Sequence, residues 1–131
     1  MTRYLVTVTG PAERNLQDIF LWSETEFGTF AADRYEALIE RALADLTENP
    51  FRPGAKHRED LLPGIYTYHL ALSRERVPQG RVKSPRHFLV YRVVTHRIEI
   101  LRVLHNGRDL DHHTPATNEG KRRIPVSSEK N

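Results

Sequence analysis

The stretch Phe88-Leu89-Val90-Tyr91-Arg92-Val93-Val94-Thr95-His96-Arg97-Ile98-Glu99-Ile100-Leu101-Arg102-Val103-Leu104 decides the fold. Its first seven residues are an almost unbroken apolar run rich in β-branched and aromatic side chains. That is the composition of a strand buried on both faces, except at Arg92. Thr95-His96-Arg97 is short and polar and suits a tight turn. Residues 98–104 return with the same strand character, so a two-stranded hairpin is expected at the heart of a sheet. Upstream, residues 65–72 place Tyr66, Tyr68, Leu70 and Leu72 on one face and predict a third strand. Residues 73–85 are polar, basic and interrupted by Pro78, Gly80 and Pro85, which reads as a long hairpin loop. Residues 51–64, with Pro53, Gly54, Pro63 and Gly64 following Pro50, read as another loop.

The first half of the chain has a different period. Tyr4-Leu5-Val6-Thr7-Val8-Thr9 is a short strand ended by Gly10-Pro11, and Pro11 suits the first turn of a helix. Leu16, Ile19, Phe20 and Phe27 then recur at helical spacing up to Gly28. Ala31, Tyr35, Leu38, Ile39, Ala42 and Leu46 form a longer apolar stripe. It stops before Asn49-Pro50, because the residue before proline avoids helical geometry. Two helices joined at Gly28-Thr29 predict an antiparallel helical hairpin. The expected fold class is therefore α+β, in the order β-α-α-β-β-β. Three antiparallel strands close the chain, the first strand joins them, and the helical hairpin packs on one face.

A length of 131 residues suits one domain, expected over residues 1–113, with a polar basic tail over 114–131 anchored only by Ile124 and Val126. Cysteine is absent, which excludes disulfides and thiolate zinc sites. The chain has no apolar run long enough to span a membrane, and the N-terminus lacks the apolar segment of a secretion signal. A cytoplasmic location is expected. The net charge of +3 is unevenly placed. Residues 12–48 carry nine acids and three bases, whereas residues 73–108 carry nine bases and two acids. A basic region of this kind attracts nucleic acid or an acidic protein surface.

The element order, the size and one run of residues resemble the ParE/RelE toxin superfamily. The run is Phe88-Leu89-Val90-Tyr91-Arg92-Val93, followed by Arg97-Ile98-Glu99-Ile100-Leu101-Arg102-Val103-Leu104-His105-Asn106-Gly107-Arg108-Asp109, and it is similar to the ParE branch in particular. Residues 13–22 look like the first helix of that family, and Asn49-Pro50-Phe51-Arg52-Pro53-Gly54 resembles the exit from its second. The likeness spans roughly residues 4–113. The loop over 73–86 is longer and more basic than the usual pattern, and the residues after His113 are additional.

The resemblance implies the toxin of a type II toxin–antitoxin system, held inactive by a ParD-like antitoxin. The ParE branch implies poisoning of DNA gyrase by binding, with no catalytic group and no cofactor. The target-binding residues would be Arg92, Arg102 and Arg108, with His105 and Asp109 fixing the turn that presents them. Arg92 is in phase with Phe88, Val90 and Val94, and Arg102 with Ile98, Ile100 and Leu104. Each is thus a cation in an apolar row, where an unpaired charge is costly. Pairing with Glu99, Asp109 or Asp111, or reaching out to water, is the structural alternative.

The RelE branch implies a ribosome-dependent mRNA endonuclease instead. Its site needs cations at the scissile phosphate and groups to move protons. Arg58, Arg92, Arg102 and His105 could compose it. The aromatic platform of that branch is missing, since no tyrosine follows Tyr91, and His105, His112 and His113 are the only candidates for its place. The seven histidines show no helical metal-binding spacing, so no metal is expected. Trp22 and Phe27 are expected to pack within the helical core, the alternative being an exposed partner site. Tyr66 and Tyr68 are expected to line the sheet. The basic residues Arg81, Lys83 and Arg86, and Lys121-Arg122-Arg123, could meet DNA phosphates or remain a solvated surface. An acidic antitoxin segment would enter a helix–sheet groove or add a strand to the sheet edge.

Overall fold

A computed structural model describes residues 3–77 and 82–106. Strand β1, Leu5–Val8, is followed by helices α1, Gly10–Phe27, and α2, Thr29–Glu48. A two-residue strand β2, Lys56–His57, precedes β3, Tyr66–His69, and a 3-10 helix, Leu70–Arg76. Strands β4, His87–Val94, and β5, Arg97–His105, complete the regular structure of the described residues. The strands form one sheet in the order β1-β5-β4-β3-β2. β1 runs parallel to β5, and the other neighbours are antiparallel. The expected α+β class and hairpin of helices are present, and the sheet has one strand more than the four expected.

Each end of the first helix has a local cause. Pro11 sits in the first turn of α1, and Glu13 places its charge where the helix dipole favours an acid. Thr9 precedes the helix but does not cap it. Its hydroxyl donates instead to the carbonyl of Ile100 at 2.9 Å, tying the strand-to-helix corner to β5. Gly28, with φ of +93°, both ends α1 and begins α2, a backbone conformation that an L side chain resists. One residue therefore turns the chain, and the helices pack on each other. The buried face of α2 is Tyr35, Leu38, Ile39, Ala42, Asp45 and Leu46.

The main core lies between the helices and one sheet face, which supplies Tyr68, Leu89, Tyr91, Ile98, Ile100 and Val103. A smaller cluster on the other face joins Ile65, Phe88, Val90 and Leu104. Two neighbouring clusters on one strand require alternation, and β4 alternates: Leu89 and Tyr91 go to the first, Phe88 and Val90 to the second.

β5 breaks that alternation. Tyr91 is level with Ile100 and Val90 with Arg102, so Leu101 is an extra residue in the ladder. This bulge corrects one expectation. Ile98 and Ile100 point to the helices while Leu104 belongs to the opposite cluster, so Arg102 is not in one continuous row with all three.

Two further expectations are corrected upstream. The third strand stops at His69 rather than running to Leu72. His69 Nδ1 accepts the amide of Ala71 at 3.0 Å and starts the 3-10 helix. Three residues per turn then bring Leu70, Ser73 and Arg76 to one side. There Ser73 donates to Asp45 at 2.6 Å, and Arg76 reaches the same carboxylate at 2.9 Å. Leu72, expected on the buried face, is 45% exposed. The loop over 51–64 also holds β2, paired with β3 through Lys56–Thr67 and His57–Tyr66. No helix among the described residues is long and apolar enough to cross a membrane.

Candidate functional site

Among the described residues the sequence offered Arg58, Arg92, Arg102 and His105 for the site, and Lys83 and Arg86, both exposed ahead of β4, as contacts to phosphate. Arg92 stands opposite Glu99 in the β4–β5 ladder, and its Nε donates to Glu99 Oε1 at 2.7 Å. Arg97 adds a second contact to the same carboxylate at 3.6 Å. The hydrogen bond from Arg92 holds the Glu99 carboxyl below the usual carboxylate range. Arg92 is nevertheless an exposed cation, so the interrupted apolar row ends at solvent.

Arg102 is held differently. Its Nε donates to Asn15 Oδ1 on α1 at 3.0 Å, and the amide of Val103 donates to the same oxygen at 3.0 Å. Asn15 thus satisfies a backbone donor on β5 beyond the end of β1 and fixes the arginine beside it. His105 follows at the strand end, level with His87, and the two rings meet edge to face with centroids 5.3 Å apart.

Arg58 lies elsewhere. It grips Asp60 with two bonds of 2.8 and 2.7 Å, and this contact raises its pKa while lowering that of Asp60. It follows β2, which the strand order separates from β5 by two intervening strands. At strand spacing that is about 14 Å. The four-residue nuclease set expected from the sequence is therefore not brought together. Arg108 and Asp109, the other two expected residues, lie outside the described residues. So do Arg81, His112, His113, Lys121, Arg122, Arg123 and the expected boundary at residue 113.

A groove of about 300 Å³ opens between α1 and the ends of β4 and β5. Asn15, Asp18, Ile19 and Trp22 form its helical wall, and His87, Val103 and His105 its sheet wall. His87, not singled out in the sequence, is fixed by Tyr35. The amide of Arg86 donates to Tyr35 Oη at 3.0 Å, and the same hydroxyl shares a hydrogen bond of 2.7 Å with His87 Nδ1. Burial pushes the Tyr35 hydroxyl pKa up. The only hint of this pair in the sequence was Tyr35 within the apolar stripe.

The helical core also lacks Trp22 and Phe27, which were expected in it. They are 52% and 66% exposed, and Leu21 and Phe30 are exposed beside them. A helix whose apolar residues extend round its surface near a one-residue turn cannot bury them all against a single sheet face. Trp22 and Phe27 instead pack edge to face with each other.

The described residues thus form a sheet centred on the β4–β5 hairpin that presents arginines, with a helical hairpin carrying many acids packed on one face. The family model for the ParE toxin of the type II toxin–antitoxin system parDE matches residues 6–110. The chain belongs to that family. No curated protein matches it.

Three solved structures share the fold. One is the chromosomal ParDE system of P. aeruginosa, at 18% identity and a TM-score of 0.57, covering 79% of this chain and 96% of that one. The RelBE2 toxin–antitoxin complex of Mycobacterium tuberculosis is 24% identical with a TM-score of 0.51, covering 79% and 99%. A mutant of the E. coli toxin RelE in the free state is 14% identical with a TM-score of 0.52, covering 86% and 95%.

Proposed function

We propose that this ParE-family chain poisons DNA gyrase by binding, in the cytoplasm, and that a cognate ParD-like antitoxin neutralises it. The observation that carries this reading is the separation of Arg58 from Arg102 and His105 on β5, together with its closure onto Asp60. Without Arg58, the expected nuclease set loses a cation, and the remaining groups sit on a rigid hairpin suited to presenting charge. Arg92, Arg102 and His105 are the target-binding residues, joined by Arg108 and Asp109 from beyond the described part.

The solved ParDE and RelBE2 assemblies support an antitoxin partner. Two features of this chain would receive it. The outer edge of β1 is the end of the sheet, and the groove beside α1 runs along a helix. These fit strand addition and helix-in-groove binding. An acidic antitoxin segment complements the arginines of β4 and β5, so its association rate should fall with salt while apolar anchors set affinity.

One observation favours a second reading, an mRNA endonuclease: His87 and His105 are adjacent imidazoles in a groove that also holds Trp22. Mixing the purified chain with gyrase, plasmid and ATP separates the two. Linear DNA released by detergent and protease, and lost on adding antitoxin, supports the gyrase poison. Untouched supercoiling with cleavage of ribosome-bound mRNA, abolished by His105→Ala, overturns it in favour of the nuclease.

A further inference from the structure

The tip of the helical hairpin is an apolar surface with an acidic border. Leu21, Trp22, Phe27 and Phe30 are 64%, 52%, 66% and 79% exposed. Isolated exposed apolar residues are ordinary, but Trp22 and Phe27 pack together here with Leu21 and Phe30 close to them in sequence, a cluster of the kind that marks an interaction site. Asp18, Glu24, Glu26 and Asp33 are exposed around it. The patch is continuous with the groove beside α1, since Trp22 belongs to both and Asp18 lines the groove. An indole face beside a carboxylate suits a guanidinium or ammonium, which can stack on the ring and pair with the acid. The surface therefore fits a segment that is basic and apolar at once, opposite in charge to what the arginines of the sheet attract.

The chain contains such a segment outside its described residues. Lys121-Arg122-Arg123-Ile124-Pro125-Val126 places three cations beside Ile124 and Val126, the only large aliphatic residues after Leu110. The described chain stops at Asn106, next to His105, which itself lines the groove. The fourteen residues between Asn106 and Lys121 can span about 50 Å when extended. The hairpin from Asn15 to Phe27 is only about 18 Å long at helical rise, so the segment reaches every part of the surface.

We propose that residues 121–126 dock in cis on the groove and hairpin tip, with the cations on Asp18, Glu24 and Glu26 and the aliphatic pair over Trp22 and Phe27. Covalent connection gives the segment a high effective concentration, so a weak contact suffices to occupy the surface. Occupancy would cover His105 and the groove offered to the antitoxin, so the segment and an antitoxin would compete there, while the exposed Arg92 stays open. The inference does not depend on the target of the toxin.

Trp22 is the only tryptophan and reports directly on the surface. The full chain is compared with two full-length variants, Lys121→Glu/Arg122→Glu/Arg123→Glu and Ile124→Ser/Val126→Ser, by emission wavelength and acrylamide quenching. Removing a segment that covers half of the indole's accessible area should raise the quenching constant about twofold and shift emission to the red. High salt should reproduce the effect in the parent chain. Combining the first variant with Glu24→Lys/Glu26→Lys should restore shielding. Identical quenching in parent and both variants overturns the proposal. Shielding that disappears on dilution also overturns it and assigns the surface to a second copy of the chain.

Discussion

Two carboxylates in this protein are each surrounded by arginines, and they do opposite work. Asp45 on α2 is fully buried. It accepts Ser73 at 2.6 Å, Arg41 at 2.9 Å and Arg76 at 2.9 Å. Glu99 on β5 holds Arg92 and Arg97, which are 54% and 49% exposed. The first cluster closes inward and fastens the 3-10 helix to α2. The second stays at solvent, and its cations keep most of their field. Arg76 is as exposed as Arg97, so what separates the clusters is burial of the carboxylate, complete at Asp45 and partial at Glu99. The contrast predicts a graded series of effects, from unfolding to loss of binding alone.

The largest effect should come from Asp45→Ala. It strips the acceptor from Ser73, Arg41 and Arg76 and leaves charge and polarity uncompensated, a loss of about 3–5 kcal/mol. Urea unfolding checks it, and Asp45→Asn should lose less because one oxygen remains. A change below about 1 kcal/mol for Asp45→Ala would show that the cluster is dispensable.

Next comes the hydroxyl of Tyr91, which donates to the carbonyl of Pro50 at 2.6 Å in the main core. Tyr91→Phe orphans that carbonyl and should cost about 1–2 kcal/mol. Burial raises the pKa of both Tyr91 and Tyr35 in the folded chain. A phenol in the unfolded chain ionises near pH 10. Because the folded values lie higher, the stabilisation is complete below pH 10 and is lost as pH rises beyond it toward the folded values. Chemical denaturation at pH 9 and 11 should show this decline, and it should be shallower in Tyr91→Phe.

These residues also show what the sequence could reveal. The period of α2 and the apolar run of β4 follow from local pattern, so both were legible. Asp45 falls on the same face as Leu38, Ile39, Ala42 and Leu46. It reads as a surface acid unless Ser73 and Arg76 are known to meet it, and they come from a stretch that reads as a polar hairpin loop. The bulge at Leu101 is equally silent, because it is fixed by pairing with β4 and not by composition. It changes the surroundings of Arg102, so the apolar-row argument failed there but worked for Arg92. The exposure of Trp22 and Phe27 was hidden because helical spacing says which residues align, not whether a partner element reaches them.

Arg102 lies between the two extremes, since it is half-buried and tied to Asn15. Asn15→Ala releases both the guanidinium and the Val103 amide and should lower stability by about 1–2 kcal/mol. Arg102→Ala keeps the Asn15–Val103 bond and should cost less while reducing toxicity. If Arg102→Ala unfolds the chain as readily as Asp45→Ala, this arginine belongs with the inward-closing cluster and leaves the proposed target surface.

The smallest change in stability is expected at Arg92. An exposed cross-strand ion pair contributes within about 1 kcal/mol, so Arg92→Ala should melt close to the parent. Its toxicity should nevertheless be abolished, because what it loses is a directed cation on the face offered to the target. Glu99→Gln sharpens the point: it weakens the acceptor that orients Arg92 but leaves the cation in place, so toxicity should fall less than in Arg92→Ala. Growth arrest at matched soluble expression, read beside thermal melting, separates these effects. An Arg92→Ala chain that still arrests growth would show that exposure of a cation is not enough to assign it to binding, and the contrast with Asp45 would then describe folding alone.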